Sequence, residues 1–331
     1  MATLKDIAKH AGVNTSTVSR ALRGSNAISS EMKEKILKIA EDLDYIPPKR
    51  QKAYGAIGII VPEVVSGYYS DLVTQLENCI YSRDYFTTVA ITHFDAEKAA
   101  SVFKLMASQG IQGIIIDEDA FVSDKAVLTQ IISETKIPTV LLSNNDVTYA
   151  SDTISTNYVL GIRYIIEHFL ELGHTSVGYI GEYYSGYRLA AFQKECSERN
   201  ITLDPNHIFV GSERFEEGGY RMMKKVIDLT KRPTAIFASY DQFAIGALKA
   251  LSESALRVPD DISIASIDNI NISKYLNQPL TTITNPVHKM SEVATRLLLN
   301  RIENSGDTVY QQVLIQPQLI VRDTTAKPRH P

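Results

Sequence analysis

From residue 56 to residue 268, short apolar runs alternate with longer stretches in which apolar residues recur every third or fourth position. Runs at 56–62, 85–92, 112–117, 139–144, 176–182, 207–211, 235–240 and 262–268 have the length and β-branched content of buried strands. The stretches 158–172, 187–200, 219–230 and 241–253 read as amphipathic helices. Strand–helix alternation predicts an α/β body with doubly wound parallel sheets, and there are enough units for two such sheets. In open α/β sheets ligands bind at the carboxyl ends of the strands, and two lobes place a cleft there.

The first 54 residues follow a different rhythm, with helical spacing only. Thr3 and Asp6 form a start signal, after which Leu4, Ile7, Ala8 and Ala11 share a face until Gly12 ends the helix. Asn14 is a good cap for a second short helix from Thr15 to about Leu22, with Val18, Ala21 and Leu22 facing inward. A third helix follows Ser29 and Ser30 and buries Met32, Ile36, Ile39, Ala40 and Leu43. Two short helices joined by a glycine-containing turn are the helix-turn-helix pattern. The second helix leaves Thr15, Ser16, Thr17, Ser19 and Arg20 outward, groups able to reach phosphates, base edges and thymine methyls in a major groove. The same pattern also fits a three-helix bundle with a polar face.

Charge sharpens this division. Over all 331 residues the formal net charge is −4, which taken as a whole points away from nucleic acid. Residues 1–52 carry ten Lys and Arg against six Asp and Glu, a balance of +4, and the rest of the chain carries −8. A basic head on an acidic body points to a polyanion as the head's partner. Between them, Pro47, Pro48, Lys49, Arg50, Gln51 and Lys52 read as a basic linker.

Other classes are set aside by what the chain contains. Cys79 and Cys196 lie far apart without metal-ligand spacing, which fits a reducing cytosol and excludes a disulfide scaffold. No secretory signal and no run of about 18 apolar residues is present, so a cytoplasmic location and no membrane partner are expected. Searches for G-x-S-x-G, a P-loop, H-E-x-x-H and the dinucleotide G-x-G-x-x-G find nothing, and no enzyme, cofactor or metal is expected. His168 and His174, six apart, have poor metal geometry.

The strings TLKDIAKHAGVNTSTVSRAL and LKIAEDLDYIP carry a resemblance. They look like the DNA-binding head of the LacI (lactose-repressor) family of bacterial transcription regulators, with Asn14 where the family has Ser or Thr. By that resemblance Thr15, Ser16 and Arg20 stand where the family reads bases, and Thr17 and Ser19 contact mainly phosphate. Thr3, Asn14 and Arg23 complete the candidate DNA-facing set of the head. The family's linker folds on DNA and inserts a leucine through the minor groove. This sequence departs there: Pro48 replaces the usual Asn, Gln51 the usual Ala, and Tyr54 stands at the leucine position. Lys49, Arg50 and Lys52 remain able to hold phosphates or the minor groove.

The resemblance continues through QGIQGIII, HFLELGHTSVGYIG, RLAAF, FASYDQFAIGALKAL, VPDDISIASIDN, PLTTI and LIVRDTT. It implies a helix-turn-helix head at 1–46, a hinge at 47–55 and a periplasmic-binding-protein-like, effector-binding body at 56–331. One lobe would take about 56–157 and 285–318, the other about 158–284 and 319–325. His174 matches a structural Gly-His turn. In the cleft, Arg188 matches a ligand-gripping Arg, Asp268 an Asp accepting ligand hydroxyls, and Asn285 another polar position. Asp117 ends a strand where an acceptor would face the cleft. Tyr240 replaces the usual Asn, and Asp241 beside it could serve the cleft or cap the next helix. Tyr68 and Tyr69 are candidate aromatic walls for a sugar face. Arg214 falls near the family's cleft aromatic, a role Phe215 takes after a one-residue shift. Glu63 and Glu182 end strands as either cleft acceptors or solvated charges.

The implied function is a sequence-specific DNA-binding transcription regulator, a repressor of carbohydrate-use genes acting as a homodimer on a pseudo-palindromic double-stranded operator. A small, sugar-like effector between the lobes would control it. The alternatives are a sugar-binding protein without DNA function and a regulator that uses a corepressor in place of an inducer. The absence of C-terminal heptads favours a dimer.

Overall fold

The computed structural model describes residues 3–22, 28–43, 45, 55–143, 149–304, 306 and 308–329. Contacts divide the chain into two units, Met1–Tyr54 and Gly55–Pro331.

The first unit is three helices, α1 (Leu4–Ala11), α2 (Thr15–Leu22) and α3 (Ser30–Asp42). The Thr3–Asp6 signal forms a reciprocal capping box: the Thr3 N–H donates to Asp6 Oδ2 at 2.8 Å and the Asp6 N–H to Thr3 Oγ1 at 3.4 Å. Gly12 ends α1 at φ 70°, the left-handed region where glycine costs least. Ile7, Val18 and Ile36, one from each helix, are fully buried together with Ala8, Ala11, Ala21 and Ala40. The Lys35 ammonium donates to the Ala11 carbonyl at 3.3 Å, where the α1 dipole is negative.

The second unit contains two six-stranded sheets. Its elements in chain order begin with β1 (Gly55–Val61), α4 (Gly67–Tyr81), β2 (Tyr85–Ile91), α5 (Ala96–Ser108), β3 (Gly113–Asp117), α6 (Lys125–Thr135), β4 (Thr139–Leu142) and β5 (Asp152–Thr156). There follow α7 (Tyr158–Glu171), β6 (Val177–Glu182), α8 (Gly186–Glu198), β7 (Ile208–Gly211), α9 (Phe215–Ile227), β8 (Ala235–Ala238), α10 (Asp241–Ser252) and β9 (Ser263–Asp268). The last are β10 (Thr281–Thr284), α11 (Val287–Glu303), β11 (Gln312–Ile315) and β12 (Leu319–Ile320). One sheet runs β11-β5-β4-β3-β1-β2, the other β12-β10-β9-β8-β6-β7. Every described pairing is parallel except β10 with β12.

Both faces of each sheet are covered, which is why their strands read as continuous apolar runs. Along β1, Ile57 and Ile59 pack with Leu72 and Leu76 of α4 and Leu297 of α11, while Ile60 packs with Phe103 of α5 and Ile131 of α6. In the second sheet Tyr179 and Phe237 face Ile162 and Phe192, and Ile180 and Ile236 face Met223 and Ala247. There α9 and α10 cross on facing glycines. A methyl group on Gly219 would sit 1.8 Å from the Phe243 carbonyl oxygen, and one on Gly246 the same distance from that of Glu216.

The eight apolar runs are all strands, and the four helical stretches are α7 to α10, with α9 beginning four residues before its expected start. β5, β10, β11 and β12 lie outside those runs. β5 reads DTIST because Asp152 is held by the bidentate guanidinium of Arg301 at 2.7 and 2.9 Å, and its hydroxyl-bearing neighbours mask the strand pattern.

The chain passes between the sheets three times, after β5, after β10 and between β11 and β12. The crossovers are laced together. The Asn157 N–H donates to the Ile315 carbonyl at 2.9 Å, the Thr284 N–H to the Gln318 carbonyl at 2.8 Å, and the Thr156 hydroxyl to Asn285 Oδ1 at 3.0 Å.

Candidate functional site

In the head, α2 presents Thr15 and Ser16 to solvent, with Thr17 half-buried. Asn14 Oδ1 accepts from the Thr17 N–H at 2.8 Å, the Thr17 hydroxyl at 2.8 Å and the Ser16 hydroxyl at 2.6 Å. Asn14 is therefore a helix cap that also orients two hydroxyls of the outward face. Thr3 is exposed, with its hydroxyl on Asp6 at 2.7 Å. Ser19 and Arg20 lie on α2, but their side chains are outside the described residues, as are Arg23, Lys49, Arg50 and Tyr54.

In the body, a narrow cavity of about 50 Å³ opens between the carboxyl ends of the two sheets. On the first-lobe side, Ser66 caps α4 through the Tyr69 N–H at 3.2 Å, which sets Tyr68 and Tyr69 on its first turn. Their rings meet edge-on, 4.8 Å between centroids. Glu63 follows β1, and its Oε2 accepts the Ser66 N–H at 2.9 Å and the Val65 N–H.

On the second-lobe side, Arg188 lies in the first turn of α8. Its Nη1 donates to the Ser239 carbonyl at 2.6 Å and its Nε to the Tyr187 hydroxyl at 2.9 Å. Its guanidinium stands 5.1 Å from the Tyr158 ring centroid. Asp268 ends β9 at φ 117°, a conformation side chains rarely adopt, and so stores strain at the cavity wall. Its Oδ1 is 3.8 Å from Arg188 Nη2 and 3.4 Å from Asn285 Nδ2. Burial raises the Asp268 carboxyl to about 7, against the pull of Arg188 and with the Asp241 charge adding to the rise.

The outer end is aromatic and cationic. Phe94 of the first lobe stacks on Tyr184 of the second, 4.9 Å apart and 16° from parallel. Arg214 lies over Phe94 at 4.3 Å and Phe215 at 4.5 Å while its Nε donates to Glu182 Oε2 at 3.0 Å. The Tyr240 hydroxyl accepts the Phe215 N–H at 2.9 Å. The Gly67 N–H donates to Gln242 Oε1 at 3.0 Å, a second bond across the lobes.

Tyr68, Tyr69, Arg188, Tyr240 and Asp268 are thus brought together around one cavity. Two expected members are not. Asp117 is buried behind Tyr69, whose hydroxyl shares its proton between Asp117 Oδ1 at 3.2 Å and Asp119 Oδ2 at 3.1 Å. Asp117 also caps the turn after β3 through the Asp119 N–H at 3.0 Å, so that Asp119 reaches the cavity in its place. Asn285 sits behind Asp268 at the crossover, donating to the Tyr158 hydroxyl at 2.7 Å.

Asp241 is neither cap nor cavity wall. It accepts from the hydroxyls of Ser266 at 2.5 Å, Thr282 at 2.6 Å and Ser273, and from the Ile270 N–H at 2.9 Å, tying β9, β10 and the intervening loop together. His174 is structural, bonded to Thr234 at 2.8 Å and to the Ala326 carbonyl at 2.8 Å. Sequence reasoning missed Phe94, Asp119, Tyr158, Tyr184, Tyr187 and Gln242 as cavity residues. Of these, only Tyr187, next to the arginine in GYRLAAF, carried a local signal.

The comparisons agree with this architecture from end to end. Residues 3–48 match the lacI family of bacterial regulatory proteins, and residues 166–325 match the periplasmic binding protein-like domain. The chain is 30% identical over 337 residues to the HTH-type transcriptional repressor PurR of Mannheimia succiniciproducens, covering 99% of each. It is 28% identical over 333 residues to the ribose operon repressor of Haemophilus influenzae, covering 98% of each. The solved lac repressor dimer bound to operator and the anti-inducer ONPF aligns with a TM-score of 0.75 at 25% identity, over 98% of this chain and 99% of that one. With a capped helix-turn-helix unit joined to a two-sheet body that holds a walled cavity, the chain belongs to the LacI family of bacterial regulatory proteins.

Proposed function

We propose that this protein is a transcriptional repressor in which residues 1–46 bind DNA, 47–55 link, and 56–331 sense a small hydroxyl-rich effector. The observation that carries the reading is the Arg188–Asp268 pair, 3.8 Å apart at the inner end of an aromatic-walled cavity, in a chain that also holds the capped head. A guanidinium fork and a carboxylate together can donate to and accept from adjacent hydroxyls of one sugar ring. Tyr and Phe rings cover the apolar faces such a ring leaves over.

As a homodimer, two heads would read a pseudo-palindromic operator, with Thr15, Ser16 and Arg20 toward the bases and Thr17, Ser19 and the basic linker toward phosphates. Effector binding favours one arrangement of the lobes, and operator affinity follows by linkage. A coupling of about 1–3 kcal/mol changes that affinity about 5- to 150-fold. The test is a mobility-shift titration on the DNA upstream of the protein's own gene and of neighbouring sugar operons, with and without sugars. Sequence-specific retention that a sugar alters is expected, and equal retention of random DNA would overturn the reading.

A further inference from the structure

Glu63 is 94% buried at the end of β1 and lines the cavity. Its Oε2 is occupied by the backbone N–H groups of Val65 and Ser66. Its Oε1 is fully buried and has no hydrogen-bond partner among the described residues. A buried carboxylate oxygen left without a donor is costly, and this one belongs to a residue of the cavity lining.

The charges around it narrow what that donor belongs to. Glu63, Asp119, Glu182 and Asp268 line the cavity against Arg188 and Arg214. Arg214 is bound to Glu182 at 3.0 Å, and Arg188 is turned to the Ser239 carbonyl at 2.6 Å. An added anion would meet four acidic side chains against two guanidiniums, one of them already paired with Glu182, in a site where burial weakens screening.

We propose that Glu63 is a specificity-determining residue: its Oε1 accepts a hydroxyl of the effector, and the effector is an uncharged, unphosphorylated sugar. This rests on the cavity being the effector site. The hydroxyl proton stays on the sugar, and Glu63 acts only as acceptor. A phosphate ester of the same sugar is rejected by the carboxylate excess.

The experiment uses the full chain and six probes: D-ribose, D-glucose and D-galactose, and ribose 5-phosphate, glucose 6-phosphate and galactose 6-phosphate. Thermal shift identifies binders and calorimetry measures them. Two variants keep an acceptor for the loop N–H groups. Glu63→Gln removes the charge, and Glu63→Asp withdraws the free oxygen from the cavity. Circular dichroism and the sugar-free melting temperature of each variant control for folding.

The expected result is that a free sugar raises the melting temperature and its phosphate does not, and that both variants bind that sugar at least about tenfold more weakly. Undiminished binding by both variants would overturn the role of Glu63 while leaving the cavity as the effector site. Preference for a phosphate ester would overturn the charge argument. If none of the six probes binds the unaltered protein, the sugar reading of the cavity fails and this proposal with it.

Discussion

Arg188 and Asp268 face each other at 3.8 Å without closing into a bidentate ion pair, because the Ser239 carbonyl holds Arg188 Nη1 at 2.6 Å and turns the fork aside. The pair is positioned from different elements, α8 and the end of β9, so a ligand can complete both partners at once. Arg188→Ala should remove the melting-temperature rise given by the effector and its effect on operator binding. Losing a charged hydrogen bond costs about 1.5–3 kcal/mol, so calorimetry should read an affinity loss of about 10- to 150-fold. Arg188→Lys keeps the charge but not the fork, and is expected to recover little of it.

Asp268 makes the body's stability depend on pH with a defined sign. Its carboxyl is raised in the folded state from an ordinary 3.8 to about 7. The folded protein therefore binds this proton more tightly than the unfolded chain does. The contribution is fully present below 3.8 and is lost as pH rises through about 7. Melting temperatures of the protein and of Asp268→Asn, compared from pH 5 to pH 8, should show the unaltered protein losing stability relative to the variant as pH rises. A constant difference between the two would refute the assignment. Effector affinity should run the other way, because a hydroxyl donates best to the ionised carboxylate.

The latch at the outer end of the cavity predicts a kinetic phenotype. Phe94 is held between the Tyr184 ring and the Arg214 guanidinium, and with the Gly67–Gln242 bond it joins the lobes. Phe94→Ala removes a stack and a cation–π contact together worth about 1–2 kcal/mol. Effector dissociation measured by stopped flow should quicken about 5- to 30-fold, with association little changed.

The head separates reading from folding. Ile36 is fully buried with Ile7 and Val18 in a core of few residues, so Ile36→Ala should cost about 2–5 kcal/mol and unfold this small unit. Operator binding should be lost while the body's effector-dependent melting shift persists. Arg20→Ala should instead leave the helical signal intact and weaken operator retention about tenfold or more in mobility-shift assays.

Much of this was legible because the signals were local. The Thr3–Asp6 capping box, Asn14 before α2 and the Ile-rich runs of β1 and β3 declare themselves within a few residues. Arg188 and Asp268 were legible because each matches a family position within a distinctive string, GYRLAAF and ASIDN. What failed was long-range. Whether Asp117 or Asp119 faces the cavity is decided by the Tyr69 hydroxyl, 48 residues before Asp117 in sequence. Asp241 follows a strand as a helix cap would, yet three hydroxyls from β9, β10 and their loop claim it. β5 was hidden because its Asp152 is neutralised by Arg301, 149 residues away. Phe94 has no pattern of its own. Its importance comes from a lobe that the chain builds ninety residues later.

Asn285 has one amide and serves both halves of the body with it. Its oxygen accepts from Thr156 at 3.0 Å, and its nitrogen donates to Tyr158 at 2.7 Å and to Asp268 at 3.4 Å. The crossover between the sheets is thus wired to a carboxylate of the cavity. A guest that draws on Asp268 would therefore act on the amide that also holds Thr156 and Tyr158 where the chain crosses between the sheets.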